Sequence, residues 1–236
     1  MRILLVGTQP FIAGLAPVLE RGGHEVDAFT TVAFLSSERG FGDYDAVIEA
    51  ENTSAEKKRE VLRRLPAAVP LHSCALASSA TLAAGWIRNP ERLAGFGVLP
   101  PIPAQGVIEV ARGLQTDDEH FAAARVFWEA CGQTVTAVAD GAGLVRARIV
   151  CAIINEALSV LHERVASAAD IDLAMKLGTN YPRGPLEWGD AIGLETVLGV
   201  MEGLQAEWGE DRYRPTPLLR RLVAAGLPAR GAPKTV

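Results

Sequence analysis

Several features are scarce in this 236-residue chain, and each scarcity excludes a class of protein. Cys74, Cys131 and Cys151 are the only cysteines, widely spaced and without a Cys-x-x-Cys pair. That argues against a disulfide framework or a zinc ribbon and points to buried thiols in a reducing cytoplasm. The histidines His24, His72, His120 and His162 stand too far apart for metal-ligand spacing. Net charge is −5, with no extended basic tract, so neither nucleic acid nor an anionic membrane surface gains electrostatic support. No apolar run approaches the ~20 residues that span a bilayer. Met1-Arg-Ile-Leu-Leu-Val6 runs directly into Gly7 and has no small-residue cleavage site, so it reads as a strand rather than a signal peptide.

What is present is apolar residue in regular patterns. Hydrophobic residues make up 49% of the chain, enough for one large core or two small ones. The first part alternates strand and helix, which predicts a doubly wound, Rossmann-like α/β domain with a largely parallel sheet. Strands are expected over 3–6, 26–29, 45–49, 69–73, 93–98, 107–111 and 135–138, and helices over 11–22, 54–65 and 117–131. After Gly141-Ala-Gly143 only helical periodicity remains, over roughly 144–163, 168–177, 184–191, 193–208 and 216–226. The expected division is therefore 1–140 and 141–236, an α/β domain followed by an all-α one. The helix from Leu144 carries Val145, Ile149, Ile153, Ala157 and Leu161 at a spacing of four, read as its apolar stripe. The tail from Pro228 is expected to fray.

The most specific segment runs from Val165 to Leu194. Ser167 and Asp170 form a capping pair at a helix start, Gly178 is a stop, and Tyr181-Pro-Arg-Gly-Pro185 is a stiff loop. On spacing alone this is a helix-loop-helix. The same residues, with Tyr213-Arg-Pro-Thr-Pro-Leu-Leu-Arg-Arg221, resemble the helical C-terminal domain of the 3-hydroxyacyl-CoA dehydrogenases. Gly178-Thr-Asn-Tyr-Pro-Arg-Gly-Pro185 and Gly209-Glu-Asp-Arg-Tyr-Arg-Pro215 look like the degenerate second half of duplicated bacterial members of the 3-hydroxyadipyl-CoA type. The resemblance implies an NAD-dependent oxidation of a 3-hydroxyacyl-CoA and a dimer held through the helical domain.

The residues that the chemistry needs are another matter. A dinucleotide turn, G-x-G-x-x-G, uses its second glycine to admit the pyrophosphate and its third to pack helix on strand. Here the turn reads Gly7-Thr8-Gln9-Pro10-Phe-Ile12, with Gly14 matching a further family glycine. Gln9 and Ile12 replace two glycines. The ribose-binding acid is expected near Thr30, and Asp27 comes three residues too early. Gly7, Thr8, Gln9 and Pro10 are thus either a degenerate NAD site or only a tight strand-to-helix turn.

Pro90-Glu-Arg-Leu-Ala-Gly-Phe-Gly97, followed by Val107-Ile-Glu-Val-Ala-Arg-Gly113, is similar to the family's catalytic run. The resemblance places the histidine base at Gly97, the glutamate that orients it at Glu109, the serine at Leu76 and the asparagine at Ala147. Only Glu109 is retained, and it has a structural alternative, pairing with Arg112 or a neighbouring helix. Ser73 and Ser78 lie close enough in sequence to offer a hydroxyl, and His72 is a nearby imidazole. Only fourteen residues separate Thr30 from Asp45, so a helical excursion that contributes to acyl-CoA binding in the family is missing. Glu51-Asn52 and Lys57-Lys58 match family residues, but read more readily as the solvated face of a helix.

The resulting expectation is a family member with impaired catalysis, a pseudoenzyme or partner subunit. It would form a homodimer or pair with an intact dehydrogenase paralogue and would keep some capacity for acyl-CoA. The alternatives are an active NAD-dependent oxidoreductase whose base has moved to His72 or Ser73, and a CoA-thioester sensor.

Overall fold

The computed structural model describes residues 1–231. Its elements are β1 (Arg2–Gly7), α1 (Gln9–Arg21), β2 (Glu25–Thr30), α2 (Thr31–Ser36), β3 (Ala46–Ala50), α3 (Ala55–Arg64), β4 (Leu71–Cys74), α4 (Ala80–Ala84), β5 (Leu93–Gly97), β6 (Val107–Ala111), α5 (Asp118–Ala130) and β7 (Thr134–Val138). Helices alone follow: α6 (Arg146–His162), α7 (Ala168–Thr179), α8 (Pro185–Ile192), α9 (Leu194–Trp208) and α10 (Pro217–Ala225).

The strands form one sheet in the order β2-β1-β3-β4-β5-β6-β7. All neighbours are parallel except β5 and β6. The central strands are apolar on both faces because helices cover both, which is why Ile3-Leu-Leu-Val6 is a continuous buried run. α1 and α5 cover one face, through Phe11, Leu15 and Trp128. α2, α3 and α4 cover the other, through Phe34, Val61, Leu62 and Ala83. The two short helices α2 and α4 have little periodicity to betray them; each starts at a hydroxyl cap, Thr30 on the Ala33 N–H and Ser79 on the Leu82 N–H.

The change from alternation to helices falls between Val138 and Arg146. The core does not stop there. One buried cluster runs from Leu5, Phe96 and Trp128 through Ala147 and Cys151 to Ile154, Val200 and Leu219.

Two expectations need correction. The spacing-four stripe is the core face of α6 only towards its C-terminal end: Val145 is 48% and Ile149 55% exposed, while Ala157 is buried and Leu161 packs on the core with Ala147, Cys151, Ile154 and Leu158. Each step of four residues advances about 40° round a helix of 3.6 residues per turn, so such a stripe drifts off one face within a few steps. The tail is also better held than expected as far as Gly231. Ala229 is fully buried and its N–H bonds Asp190 Oδ1 at 2.5 Å. Residues 232–236 lie outside the described residues.

Candidate functional site

β5 ends at Gly97, which pairs with Glu109 across the antiparallel ladder to β6. An added Cβ on Gly97 would lie 2.6 Å from Leu144 Cδ1, 3.3 Å from Glu109 Oε2 and 3.4 Å from Leu76 Cδ2. The fold therefore brings three of the four matched positions, Leu76, Gly97 and Glu109, to one spot. The fourth, Ala147, is buried in the first turn of α6 beside Arg146. What fills the spot is Leu144, a residue that sequence reading passed over. It is buried and sits in the left-handed region at φ 46°, directly after Gly143 at φ 76°.

Glu109 has acquired a different partner. Its Oε1 accepts the Arg146 backbone N–H at 3.0 Å, placing a carboxylate at the positive end of α6. Of the two structural partners expected from sequence, the neighbouring helix is the one that holds it, through the start of α6; Arg112 pairs with Asp118 instead. Burial pushes the Glu109 carboxyl above the usual carboxylate range, and the Arg146 N–H pulls it partly back.

The N-terminal turn is governed by packing. An added Cβ on Gly7 would lie 2.7 Å from the Ala50 carbonyl oxygen, and one on Gly14 would lie 2.7 Å from Ile102 Cβ. α1 begins at Gln9 after Thr8, whose side chain makes no cap bond. Pro10 has no N–H to offer. The Phe11 and Ile12 N–H groups both bond the Thr8 carbonyl, at 3.1 and 3.0 Å. Thr8 Oγ1 is buried without a partner. At the end of β2, Thr30 caps α2, and Asp27 is held by Arg2 and the Tyr44 hydroxyl at 2.8 and 2.7 Å.

Across the ends of β3 and β4 lies α9. An added Cβ on Gly199 would overlap the Asn52 carbonyl oxygen, and one on Gly203 the Ala77 carbonyl oxygen. Glu207 accepts the Ala142 N–H and Asp140 accepts the N–H groups of Ala80 and Thr81, which ties the same seam from the side.

Comparison with known proteins fits this architecture at both ends. Residues 143–236 match the family model of the 3-hydroxyacyl-CoA dehydrogenase C-terminal domain, and residues 20–141 match that of its NAD binding domain. The chain belongs to the 3-hydroxyacyl-CoA dehydrogenase family. A probable 3-hydroxybutyryl-CoA dehydrogenase of Deinococcus radiodurans is 36% identical over 226 residues, 89% of this chain and 78% of that one. One of Bacillus subtilis is 38% identical over 186 residues; the match spans 77% of this chain and 65% of that relative's length. The crystal structure of (S)-3-hydroxybutyryl-CoA dehydrogenase from Ralstonia eutropha superposes with a TM-score of 0.76 at 30% identity, covering 95% of this chain and 94% of that one. The match to the NAD binding domain begins only at residue 20, after the Gly7 turn.

Within this family framework, the residues considered as a relocated base are committed elsewhere. β4 pairs His72 with Ala94, and β5 pairs Phe96 with Val110 and Gly97 with Glu109. Side chains alternate along a strand, so His72 points to the face of Phe96, opposite to Gly97 and Glu109. Its ring packs on Phe127 at 4.6 Å and Trp128 at 5.7 Å, and burial lowers its pKa to about 3. Ser73 Oγ donates to Glu49 Oε2 at 2.6 Å. Ser78 Oγ is buried without a partner.

Lys58 corrects the reading of Lys57-Lys58 as a solvated face. Lys57 is exposed, but Lys58 is fully buried. Its Nζ meets Glu49 Oε2 at 2.5 Å and the Cys74 carbonyl at 2.9 Å. Glu51 accepts from Thr31 Oγ1 at 2.6 Å, and the Glu51 N–H donates to Glu49 Oε1 at 2.7 Å. Lys58 shares a helix face with Val61, Leu62 and Leu65, at i+3, i+4 and i+7, and that spacing was the available signal. The cysteines are all buried and free, and burial raises their thiols to about 12 for Cys74 and Cys151 and about 11 for Cys131.

Proposed function

We propose that this chain is a catalytically impaired member of its family, acting as a partner subunit rather than as a dehydrogenase. The observation that carries the reading is the Leu144 side chain packed against Gly97. A general base needs a proton acceptor within hydrogen-bond reach of the substrate hydroxyl. Glycine offers none, Leu144 and Leu76 crowd the position, and the one carboxylate beside it, Glu109, is engaged by the Arg146 N–H. Glu109 holds a helix instead of an imidazole. Absence of a base lowers rates by a factor of about 10² to 10⁴, and here serine and asparagine are replaced as well.

The N-terminal turn does not fit NAD. A helix N-terminus binds pyrophosphate through free N–H groups. Pro10 lacks one and Phe11 turns its own back on Thr8. Gly7 and Gly14 are explained by Ala50 and Ile102. No hydride step is therefore assigned to this chain.

The partner is a second copy or an intact dehydrogenase paralogue, met through the helical part. Val145 just before α6, Ile149 on it, and Leu173 and Leu177 on α7 are exposed apolar side chains that support such a contact. Three free buried thiols suit a cytoplasmic setting. Among the described residues no helix is long and apolar enough to cross a membrane.

Calorimetric titration of NADH and then acetoacetyl-CoA, with a turnover assay on 3-hydroxybutyryl-CoA, tests the proposal. No NADH binding and no turnover are expected. Turnover at the rates of an intact dehydrogenase would overturn it.

A further inference from the structure

An opening lies between the start of α3, the Ala77–Ser79 turn with α4, and α9. It is a half-open groove with a volume of about 730 Å³, within the ~300–1,000 Å³ of small-molecule pockets. Gly199, Glu202, Gly203, Ala206 and Glu207 line it from α9, and Trp86 lines it beside α4. Small residues on α9 let its backbone reach the Asn52 and Ala77 carbonyls, and the opening lies beside that contact.

Two observations point to a ligand. Ser78 lines the opening, is 3% exposed, and its Oγ has no hydrogen-bond partner. A buried hydroxyl without a partner is unfavourable unless something supplies the bond. The charge of the lining then restricts the ligand. Its ionisable groups are the carboxylates Glu202 and Glu207, already engaged by Arg220 and the Ala142 N–H. Among the described residues that line it there is no lysine or arginine. A phosphate or carboxylate entering here would be desolvated beside negative charge with no cation to receive it.

We propose that this pocket binds an uncharged small molecule with an aromatic or short aliphatic body and a single alcohol or amide head that hydrogen-bonds Ser78. The apolar body lies along Trp86 and the small residues of α9. Of the four matched catalytic positions, Leu76, Gly97, Glu109 and Ala147, none lines the opening, and neither does the Gly7 turn.

Benzyl alcohol, benzamide and benzoate share one ring and differ in the head, and serve as probes. Their binding to the full chain is followed by amide chemical shifts in 15N NMR. Benzyl alcohol and benzamide should shift resonances of α4 and α9 saturably in the millimolar range, and benzoate should bind at least tenfold more weakly. Ala206 is exposed, so Ala206→Trp fills the pocket without disturbing the core and should abolish the shifts. Ser78→Ala should weaken benzamide by about five- to tenfold, the worth of one hydrogen bond. Equal binding of benzoate, or binding unchanged in Ala206→Trp, overturns the proposal. So does displacement of benzamide by acetoacetyl-CoA, which would make the groove part of a thioester site.

Discussion

Leu144 and Gly97 pack so closely that any β-carbon on residue 97 would meet Leu144 Cδ1 at 2.6 Å. The glycine and the leucine are one feature: the first leaves a hollow at the end of β5, and the second fills it.

Gly97→His should therefore fail to create a working base. It should also destabilise the fold by about 1–3 kcal/mol, the usual cost of overpacking. Adding Leu144→Ala should recover part of that loss, because the imidazole then has room. Urea denaturation of both variants and the wild type measures the coupling, and simple additivity would show that the two residues do not share the space.

Glu109 acts as a cap, so Glu109→Ala should cost about 1–2 kcal/mol. Its pH signature is distinct. The folded carboxyl is raised by burial, so the folded state holds the proton more tightly than the unfolded chain. The stabilising contribution is present below the unfolded value of 4.5 and is lost as pH rises through the folded one. Glu109→Gln should remove that step. A stability profile above pH 4.5 that is identical in wild type and Glu109→Gln would refute the assignment.

His72 has the opposite sign. Its folded pKa is lowered from 6.5 to about 3, so the unfolded state binds the proton first. Stability from the neutral ring is full above pH 6.5 and is lost as pH falls towards 3. Between pH 7.5 and 5 the loss should be about 2 kcal/mol. His72→Phe should flatten the decline, measured by guanidinium denaturation at both pH values.

Lys58→Met should destabilise by about 3–5 kcal/mol, because Glu49 is left buried without its cation. The double replacement of Lys58→Met with Glu49→Leu should be milder than the single one. Thermal unfolding gives the order, and a double variant worse than Lys58→Met would contradict it.

Much of this architecture was legible from periodicity. Val26–Phe29, Val107–Ala111 and the five C-terminal helices were readable because their apolar spacing matches their backbone period. The matched positions Leu76, Gly97 and Glu109 were readable because flanking residues such as Pro90-Glu-Arg92 anchor the register. What filled the hollow was not. Leu144 follows Gly143 and reads as the start of the helix over 144–163, whereas α6 begins at Arg146 and nothing in a leucine declares that its backbone is left-handed. Lys58 escaped because charge normally signals solvent, although its spacing to Val61 and Leu62 signalled burial. The α6 stripe misled because apolar residues at a spacing of four need not share one face.

The seam at α9 has a mechanical consequence. Enzymes that seal their reactants from water often do so by swinging two bodies together. With helix backbone resting on the Asn52 and Ala77 carbonyls, α9 is already pinned to the ends of β3 and β4, and the opening beside that contact has no free body to swing shut. Amides in α9 and in β3 should consequently exchange with solvent through a single opening event, with the sheet and the helices coming apart together or not at all.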